Sequence, residues 1–208
     1  EIRLSLVGSE MCIRDRNNAG ILRDKSFSKI DLDDFQVVVD VHLMGAVYCT
    51  HAVWPIMREQ NYGRILMTTS PTGLYGNFGQ TNYGAAKLAQ VGFMNSLKIE
   101  GAKNNIHTNT IAPIAATRMT ESLIPEAVHS KLAPESVTPA ALFLISEGAP
   151  NGVIMQAEGG RFSVASIVEN TGAQLGVDAA PEDIASNYDM ISDLEGAKPK
   201  GMMQINLP

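Results

Sequence analysis

Residues 64–87 read RILMTTSPTGLYGNFGQTNYGAAK, and this stretch decides the fold. Its apolar start, which ends in hydroxyl side chains at Ser70, is typical of a buried strand. Residues 71–80 carry three glycines and predict a loop. A helix rich in Ala, Leu and Lys is predicted from Tyr83 to Gly101, where glycine ends it. A strand, a loop and a helix in this order predict one βα unit of a parallel sheet.

The flanking sequence continues this alternation of strands and helices. Residues 31–61 predict a long helix, because Asp31 is a suitable N-cap and apolar residues follow it at helical spacing. Residues 107–112 and 152–157 predict two further strands, and a helix is predicted to open at Pro181. We therefore predict an α/β fold with a doubly wound parallel sheet.

The composition excludes several classes of protein. A content of 45% hydrophobic and 18% charged residues is that of a soluble globular chain. The formal net charge of -6 leaves no basic surplus for a nucleic acid. Cys12 and Cys49 have neither zinc nor disulfide spacing, so we expect no metal site. Polar residues interrupt every long apolar run, so no membrane-spanning segment is expected either.

Tyr83 and Lys87 are the candidate catalytic pair. They lie four residues apart on a predicted helix, so both side chains emerge on one face. A nearby ammonium group favours the phenolate form of a tyrosine, and Lys87 is therefore expected to lower the pKa of Tyr83. Such a pair suits hydride transfer with coupled proton transfer. The alternative for Lys87 is a solvated helix charge.

Ser70 is the third candidate, because it lies at the carboxyl end of the preceding strand. There it would meet Tyr83 across the loop and form a hydrogen bond with a substrate oxygen. The alternative is a serine that only supports the turn. The surrounding motifs favour the catalytic interpretation, since Asn17-Asn18-Ala19-Gly20 precedes these residues and Asn109-Thr110-Ile111-Ala112-Pro113 follows them.

In this order and spacing, these motifs resemble those of the short-chain dehydrogenase/reductase family. Longer stretches resemble the (3R)-hydroxyacyl-CoA dehydrogenase domains of peroxisomal multifunctional enzymes and their single-domain bacterial relatives. These stretches are Asn17-Asn18-Ala19-Gly20-Ile21-Leu22-Arg23-Asp24, Tyr75-Gly76-Asn77-Phe78-Gly79-Gln80 and Ile106-His107-Thr108-Asn109-Thr110-Ile111-Ala112-Pro113. The resemblance implies a Rossmann-like fold and an NAD(P)-dependent oxidoreductase that interconverts a (3R)-hydroxyacyl-CoA and a 3-ketoacyl-CoA.

The resemblance also implies roles for individual residues. Tyr83 would be the general acid/base, Lys87 would also hold the nicotinamide ribose, and Ser70 would bind the substrate oxygen. His42 stands where most of the family has asparagine, and it would either pack in the helix or pass a proton through a bound water. The expected cofactor is NAD or NADP, with NAD favoured. The residues expected to bind it are Asn18, Ala19, Gly20, Tyr83, Lys87, Pro113, Ile114, Ala115, Ala116, Thr117 and Arg118.

The start of the chain does not match the family. Residues 1–16 have no periodicity and resemble a translated sequencing adapter, although a natural loop or terminus is the alternative. Residues 17–208 would then be the C-terminal two-thirds of a single domain that lacks its first βαβ portion. Such a fragment is expected to be inactive, to bind cofactor weakly and to expose an unpaired sheet edge.

Other functions and partners stay open at this point. A short-chain dehydrogenase acting on another alcohol or ketone, or a non-catalytic Rossmann-like binding protein, is an alternative to the acyl-CoA enzyme. The expected partner is an acyl-CoA-like small molecule, and the full-length protein is expected to be a homodimer or tetramer through its two long helices. We expect a bacterial cytoplasmic location, with the peroxisome as the alternative.

Overall fold

The computed structural model describes residues 13–117, 119–120 and 125–201. The elements up to residue 165 are, in chain order, β1 (Arg14–Asn17), α1 (Leu32–Val39), a π-helical turn (Asp40–Met44), α2 (Gly45–Glu59), β2 (Gly63–Thr68), α3 (Pro71–Tyr75), α4 (Thr81–Glu100), β3 (Ile106–Ile114), α5 (Thr138–Leu144), β4 (Ile154–Glu158) and β5 (Arg161–Ala165). Short 3-10 helices lie at Ala102–Asn104, Glu126–Val128 and Pro134–Val137.

The strands form one sheet in the order β1-β2-β3-β4-β5. The first four strands are parallel and β5 is antiparallel to β4. The mostly parallel sheet predicted from the sequence is thus confirmed. Because parallel strands end at the same edge, the residues that follow β1, β2 and β3 come together there.

Alternate residues of β2 face the two sides of the sheet, and helices cover both. Ile65 and Met67 are buried against residues of α2 and α4, including Met57 and Leu97. Leu66, which points the other way, is buried in a second cluster with Leu144 of α5 and Ala157 of β4. A central strand that is buried on both faces explains why residues 64–67 read as a continuous apolar run with a single charge at its start.

The long helix predicted for residues 31–61 is present, but a π-helical turn interrupts it. Asp31 caps it as expected, since its side chain accepts a hydrogen bond from the backbone N–H of Asp33 at 2.9 Å. The combined run Leu32–Glu59 has 28 residues and is long and apolar enough to cross a membrane by length and composition. The sequence expectation of no such run was therefore too strict, because its scattered polar residues lower the mean hydropathy only to 1.3. Core helices of soluble proteins meet the same criterion.

Two short elements differ from the sequence expectation. The segment predicted as a loop after Ser70 begins with helix α3, which Ser70 caps and in which Pro71 occupies the first helical position. Strand β5 follows Gly159 and Gly160, whose backbone φ angles of 51° and 85° allow the tight turn back from β4. Both elements follow from local turn chemistry that the sequence contains.

Strand β1 begins three residues before the boundary that the sequence suggested at Asn17. Ile13 is buried in the core, and the pKa of Asp15 is raised by burial despite hydrogen bonds from Asn17 and Thr50. Residues 13–16 therefore pair and pack with the sheet. The foreign origin of residues 1–16 stays a prediction, and most of that segment lies outside the described residues.

The chain divides into two compact units, Glu1–Ala165 and Ser166–Pro208. The second unit contains β6 (Val168–Glu169), α6 (Pro181–Ser186), α7 (Tyr188–Ser192) and β7 (Lys198–Pro199), and β6 pairs with β7. The helix predicted to open at Pro181 is present. Within residues 166–201 no side chain is buried, so this unit has no hydrophobic core in its described part.

Candidate functional site

The four candidate catalytic residues meet at the carboxyl edge of the sheet. Ser70 follows β2, Tyr83 and Lys87 lie in the first two turns of α4, and His42 lies on the π-helical turn. All four line one cavity of about 450 Å³. The three residues that were grouped by their spacing in the sequence therefore lie in one cavity of the fold. They are Ser70, Tyr83 and Lys87.

Ser70 has a structural and a chemical contact. Its hydroxyl oxygen accepts a hydrogen bond from the backbone N–H of Thr72 at 3.2 Å, which fixes the side chain as the cap of α3. It also forms a hydrogen bond with Tyr83. Since its oxygen already accepts from Thr72, the hydroxyl proton is available for Tyr83 or for a ligand oxygen.

Tyr83 is a protonated phenol at neutral pH. Burial raises its pKa above the usual 10.0, the Ser70 hydrogen bond opposes this rise, and the negative charge of Asp24 adds to it. This differs from the expectation that Lys87 would draw the pKa of Tyr83 downward. The removal of the phenol from water raises the pKa more than the hydrogen bond with Ser70 lowers it.

Lys87 is 3% exposed, and its ammonium group is held against the sheet. The Nζ atom donates a hydrogen bond to the backbone oxygen of Thr68 at 2.5 Å and lies 5.5 Å from the centre of the Tyr83 ring. Burial lowers the pKa of Lys87 to about 8. The ammonium group is thus close to Tyr83, and it loses its proton at a lower pH than an exposed lysine does.

His42 is 2% exposed and packs edge-on against the ring of Tyr83, with 5.0 Å between the ring centres. Its Nε2 atom lies 3.1 Å from the Ile21 backbone nitrogen and 2.8 Å from the Ile21 backbone oxygen, so it accepts from one or donates to the other according to tautomer. Burial first and the Lys87 charge second lower the pKa of His42 to about 4. The imidazole is therefore neutral at neutral pH, and its buried ring packs against Tyr83.

Gly20 explains why the chain can run so close to His42. A Cβ atom at Gly20 would lie 2.7 Å from the Cε1 atom of His42, closer than real contacts allow. The glycine of the Asn17-Asn18-Ala19-Gly20 motif therefore serves a close approach of backbone and ring. From the sequence, the segment that contains Gly20 was expected either to bind the cofactor or to form a plain turn.

The expected cofactor residues fall into three groups. Six of them line the cavity beside Tyr83 and Lys87, namely Asn18, Gly20, Pro113, Ile114, Ala115 and Thr117. Ala19 and Ala116 are not among the lining residues, and the backbone N–H of Ala116 instead donates to the Leu132 oxygen at 2.7 Å. Arg118 lies outside the described residues.

A second cavity of about 300 Å³ adjoins the first and shares Asn18, Thr68 and Pro113 with it. Its remaining walls are largely apolar and come from β2, β3 and α5. The two cavities share lining residues at the carboxyl edge of the parallel sheet, where nucleotide ligands bind in such folds. The residues present therefore fit the nicotinamide end of a dinucleotide cofactor.

Several lining residues were not assigned from the sequence. Thr72, Asn77 and Gln80 form the polar part of the cavity wall beside α3. Asn77 and Gln80 belong to the stretch Tyr75-Gly76-Asn77-Phe78-Gly79-Gln80, which carried the family resemblance but received no role. The shared stretch itself was the signal available in the sequence, since the burial of Gln80 is set by the tertiary structure.

The fold is an α/β fold with a mostly parallel sheet, and Ser70, Tyr83 and Lys87 line one cavity at its carboxyl edge. A family model described as short chain dehydrogenase matches residues 16–127, which is more than half of the 208 residues. The chain therefore belongs to the short chain dehydrogenase family.

Individual proteins agree with this assignment. A short-chain type dehydrogenase/reductase from Mycobacterium tuberculosis is 47% identical over 186 residues, which cover 89% of this chain and 65% of the relative. An acetoacetyl-CoA reductase from Shinella zoogloeoides is 35% identical over 161 residues, or 71% of this chain and 67% of the relative. The structure of full-length peroxisomal multifunctional enzyme type 2 from Drosophila melanogaster matches with a TM-score of 0.81 and 38% identity.

The similarity to the Drosophila structure covers 90% of this chain and 35% of that one. It confirms the Rossmann-like fold predicted from the motifs and the resemblance to the dehydrogenase part of multifunctional enzymes. The chain spans less than two thirds of the mycobacterial relative and about a third of the Drosophila protein. What those whole proteins do is therefore a matter of proposal for this chain.

Proposed function

We propose that the protein containing this chain interconverts a (3R)-hydroxyacyl-CoA and a 3-ketoacyl-CoA by NAD(P)-dependent hydride transfer, with Tyr83 as the acid/base. The observation that carries the proposal is the meeting of Ser70, Tyr83 and Lys87 in one cavity. Bound NAD or NADP would supply or accept the hydride, and the resemblance favours NAD.

The proton step belongs to Tyr83. Because burial keeps its phenol protonated at neutral pH, Tyr83 is prepared to give a proton to a ketone oxygen. Ser70 donates its hydroxyl proton to the same oxygen and orients it. In the reverse direction Tyr83 takes the proton of the substrate hydroxyl, which requires the phenolate and favours alkaline pH.

Lys87 has two proposed tasks in the cavity. It would hold the ribose of the cofactor, and its charge would stabilise the phenolate when it forms. The other residues proposed to hold the cofactor are those that line the cavity, Asn18, Gly20, Pro113, Ile114, Ala115 and Thr117. Ala19, Ala116 and Arg118 stay proposals from the resemblance.

His42 is proposed to pass protons between Tyr83 and a water bound at the helix. Its backbone oxygen accepts a hydrogen bond from Gln90 Nε2 at 2.5 Å. Within the described residues its Nδ1 atom is buried and has no partner, which leaves one ring nitrogen for a bound water. A replacement of His42 by Phe keeps the packing and removes the proton path.

The acyl-CoA substrate is the finer part of the proposal. It is supported by the motifs shared with hydroxyacyl-CoA dehydrogenase domains and by the acetoacetyl-CoA reductase relative. A short-chain dehydrogenase of another alcohol or ketone is the second candidate, and it agrees with the family-level name of the mycobacterial relative. A non-catalytic binding protein is the third, and the intact catalytic set speaks against it.

The test is an assay of the full-length gene product with acetoacetyl-CoA and NADH or NADPH, followed by the loss of nicotinamide absorbance. Replacing Tyr83 with Phe is expected to reduce kcat by a factor on the order of 10² to 10⁴, the usual contribution of a positioned general acid. Tyr75→Phe is the matched control, since Tyr75 is exposed and its hydroxyl accepts only from Gln156. Equal rates for Tyr83→Phe and the unaltered protein would refute the mechanism.

The assembly and location are also proposals. A homodimer or tetramer through the long helices is supported by exposed apolar residues on α2 and α4, such as Tyr48 and Leu88. A bacterial cytoplasmic location agrees with the mycobacterial relative, whereas the peroxisomal alternative agrees with the Drosophila multifunctional enzyme.

A further inference from the structure

The cavity wall beside α3 depends on a glutamine that is almost fully buried. Gln80 is 6% exposed and directly precedes α4, the helix of Tyr83 and Lys87. Its Nε2 atom donates a hydrogen bond to Asp24 Oδ2 at 2.7 Å. Its Oε1 atom accepts from Thr72 Oγ1 and from Asn77 Nδ2, each at 3.0 Å.

The carboxylate of Asp24 fixes the direction of this hydrogen-bond chain. An ionised carboxylate can only accept, so the NH₂ group of Gln80 must face Asp24 and its oxygen must face Thr72 and Asn77. Thr72 then donates its hydroxyl proton to Gln80, so its oxygen can only accept hydrogen bonds from other neighbours. The charge of one residue thereby decides which polar atoms line this side of the cavity.

The segment around Asp24 is also attached to the start of α4 by backbone contacts. The Lys25 N–H donates to the Gly79 oxygen at 2.9 Å, and Asn82 Nδ2 donates to the Arg23 oxygen at 3.1 Å. The Asn82 side chain in turn accepts from the backbone N–H of Tyr83 at 2.7 Å. Residues 23–25 therefore lie against the residue that precedes Tyr83.

We propose that Asp24, acting through Gln80, is a positioning residue that holds the glycine-rich segment 76–80 and the first turn of α4 in place, and so sets the position of Tyr83. This inference rests on the proposed function in that it assigns a supporting residue to the same site. Asp24 itself is not a catalytic residue, since it acts on the site through Gln80.

The electrostatic surroundings of Tyr83 agree with this placement. Lys87 from α4 and His42 from the π-helical turn lie beside its ring, and Asp24 from the loop after β1 acts on it electrostatically. Of these, Asp24 is the negative one, and its charge contributes to the raised pKa of Tyr83. The carboxylate is thus near enough to act on the phenol as well as on Gln80.

The test compares Asp24→Asn with Asp24→Ala in this chain. Asparagine keeps an oxygen that accepts from Gln80 Nε2 and loses the charge, whereas alanine loses both. Hydrogen–deuterium exchange of residues 76–84 is expected to accelerate about tenfold in Asp24→Ala and to stay within about threefold of the unaltered chain in Asp24→Asn. Asp24→Ser, too short to reach Gln80, is expected to behave like alanine and serves if the alanine variant does not fold.

A second measurement follows the ionisation of Tyr83 by its ultraviolet absorbance, with Tyr83→Phe subtracted as background. Both Asp24→Asn and Asp24→Ala are expected to lower the midpoint, because each removes a negative charge. Asp34→Asn is the matched control, since Asp34 pairs with Arg23 and Lys25 at 3.3 and 3.5 Å and does not bind Gln80. It is expected to leave both readouts unchanged.

The inference is overturned by any of three results. These are unchanged exchange in both Asp24→Ala and Asp24→Ser, equal acceleration in Asp34→Asn, or a Tyr83 midpoint that neither Asp24→Asn nor Asp24→Ala moves. Neither readout needs catalysis or a cofactor. A gene product without hydride transfer would therefore refute the proposed function while leaving the role of Asp24 to be decided by these data.

Discussion

At the scale of single residues, His42 links the packing of the site to pH. Its pKa is about 4 in the fold because burial and the Lys87 charge both disfavour the imidazolium, against an ordinary value of 6.5. Between these values the unfolded chain binds a proton that the folded chain does not. The free energy of unfolding therefore falls as the pH drops from 6.5 to 4.

We predict that protonation of His42 alone lowers the free energy of unfolding by on the order of 3 kcal/mol as the pH falls from 6.5 to about 4. Urea unfolding at several pH values, followed by the fluorescence of Trp54, measures it. His42→Phe is expected to remove this part of the pH dependence, and His51→Asn, on an exposed position of α2, is expected to keep it. Parallel pH profiles for His42→Phe and the unaltered chain would contradict the prediction.

The candidate residues that the sequence could identify were those that form a motif at a short, fixed spacing. Ser70, Tyr83 and Lys87 lie close together in the chain, and α3, the following turn and α4 bring them into one cavity. Asp24 and Gln80 could not be paired in this way, because 56 residues separate them and only the fold brings them together. The raised pKa of Tyr83 was missed for a similar reason, since burial depends on the tertiary structure.

At the scale of elements, α3 places its backbone directly against the helix that carries Lys87. Gly73 is buried there, and a Cβ atom on it would lie 2.8 Å from Lys87 Cβ and 2.9 Å from the Leu88 backbone nitrogen. One of the three glycines from which a loop was predicted, Gly73, thus allows α3 and α4 to pack closely. Glycine content alone cannot distinguish a flexible loop from a close helix contact.

We predict that Gly73→Ala destabilises the chain by about 1 to 3 kcal/mol, because the added methyl group has no space. Gly92→Ala, in the middle of α4 with nothing within 4 Å of the new Cβ, is expected to stabilise it by about 0.5 to 1 kcal/mol. Urea unfolding of both variants provides the measurement. Similar effects of the two substitutions would show that α3 can move away from α4.

The sequence was most reliable for the long periodic elements. The helices at residues 31–61 and from residue 83 onward, and the strands around residues 65, 110 and 155, lie where their patterns placed them. The bounds shifted by a few residues, since pattern does not fix the terminal turn. The π-helical turn was not predicted, because the 8 residues of α1 before it are too few to show the shift in helical phase that one extra residue makes.

At the scale of the whole molecule, the long helices expose apolar side chains that a partner could cover. Tyr48 and Ile56 on α2 and Leu88 and Ile99 on α4 are 63%, 36%, 46% and 44% exposed. Both helices also carry the buried residues that pack on the sheet. Their outer faces are therefore the surfaces through which a homodimer or tetramer is proposed to form.

We predict that the full-length protein is at least a dimer and that Tyr48→Glu combined with Leu88→Glu shifts it towards the monomer, because a buried charge disfavours the interface. Size-exclusion chromatography with light scattering gives the mass. Phe162→Glu, an exposed position on β5, is the control and is expected to keep the assembly. A monomeric unaltered protein, or one that sediments with membranes through Leu32–Glu59, would contradict the prediction.

The π-helical turn makes this region of the chain intolerant to a change in length. Each residue of an α-helix turns the chain by about 100°, so deleting one residue from Asp40–Met44 would rotate α1 by that angle relative to α2. The face of α1 that buries Val38 would then point away from α4, and Ile21 would lose its hydrogen bond with His42. A one-residue deletion in this turn would therefore have to be compensated by an insertion in the same helix that restores the packing of α1.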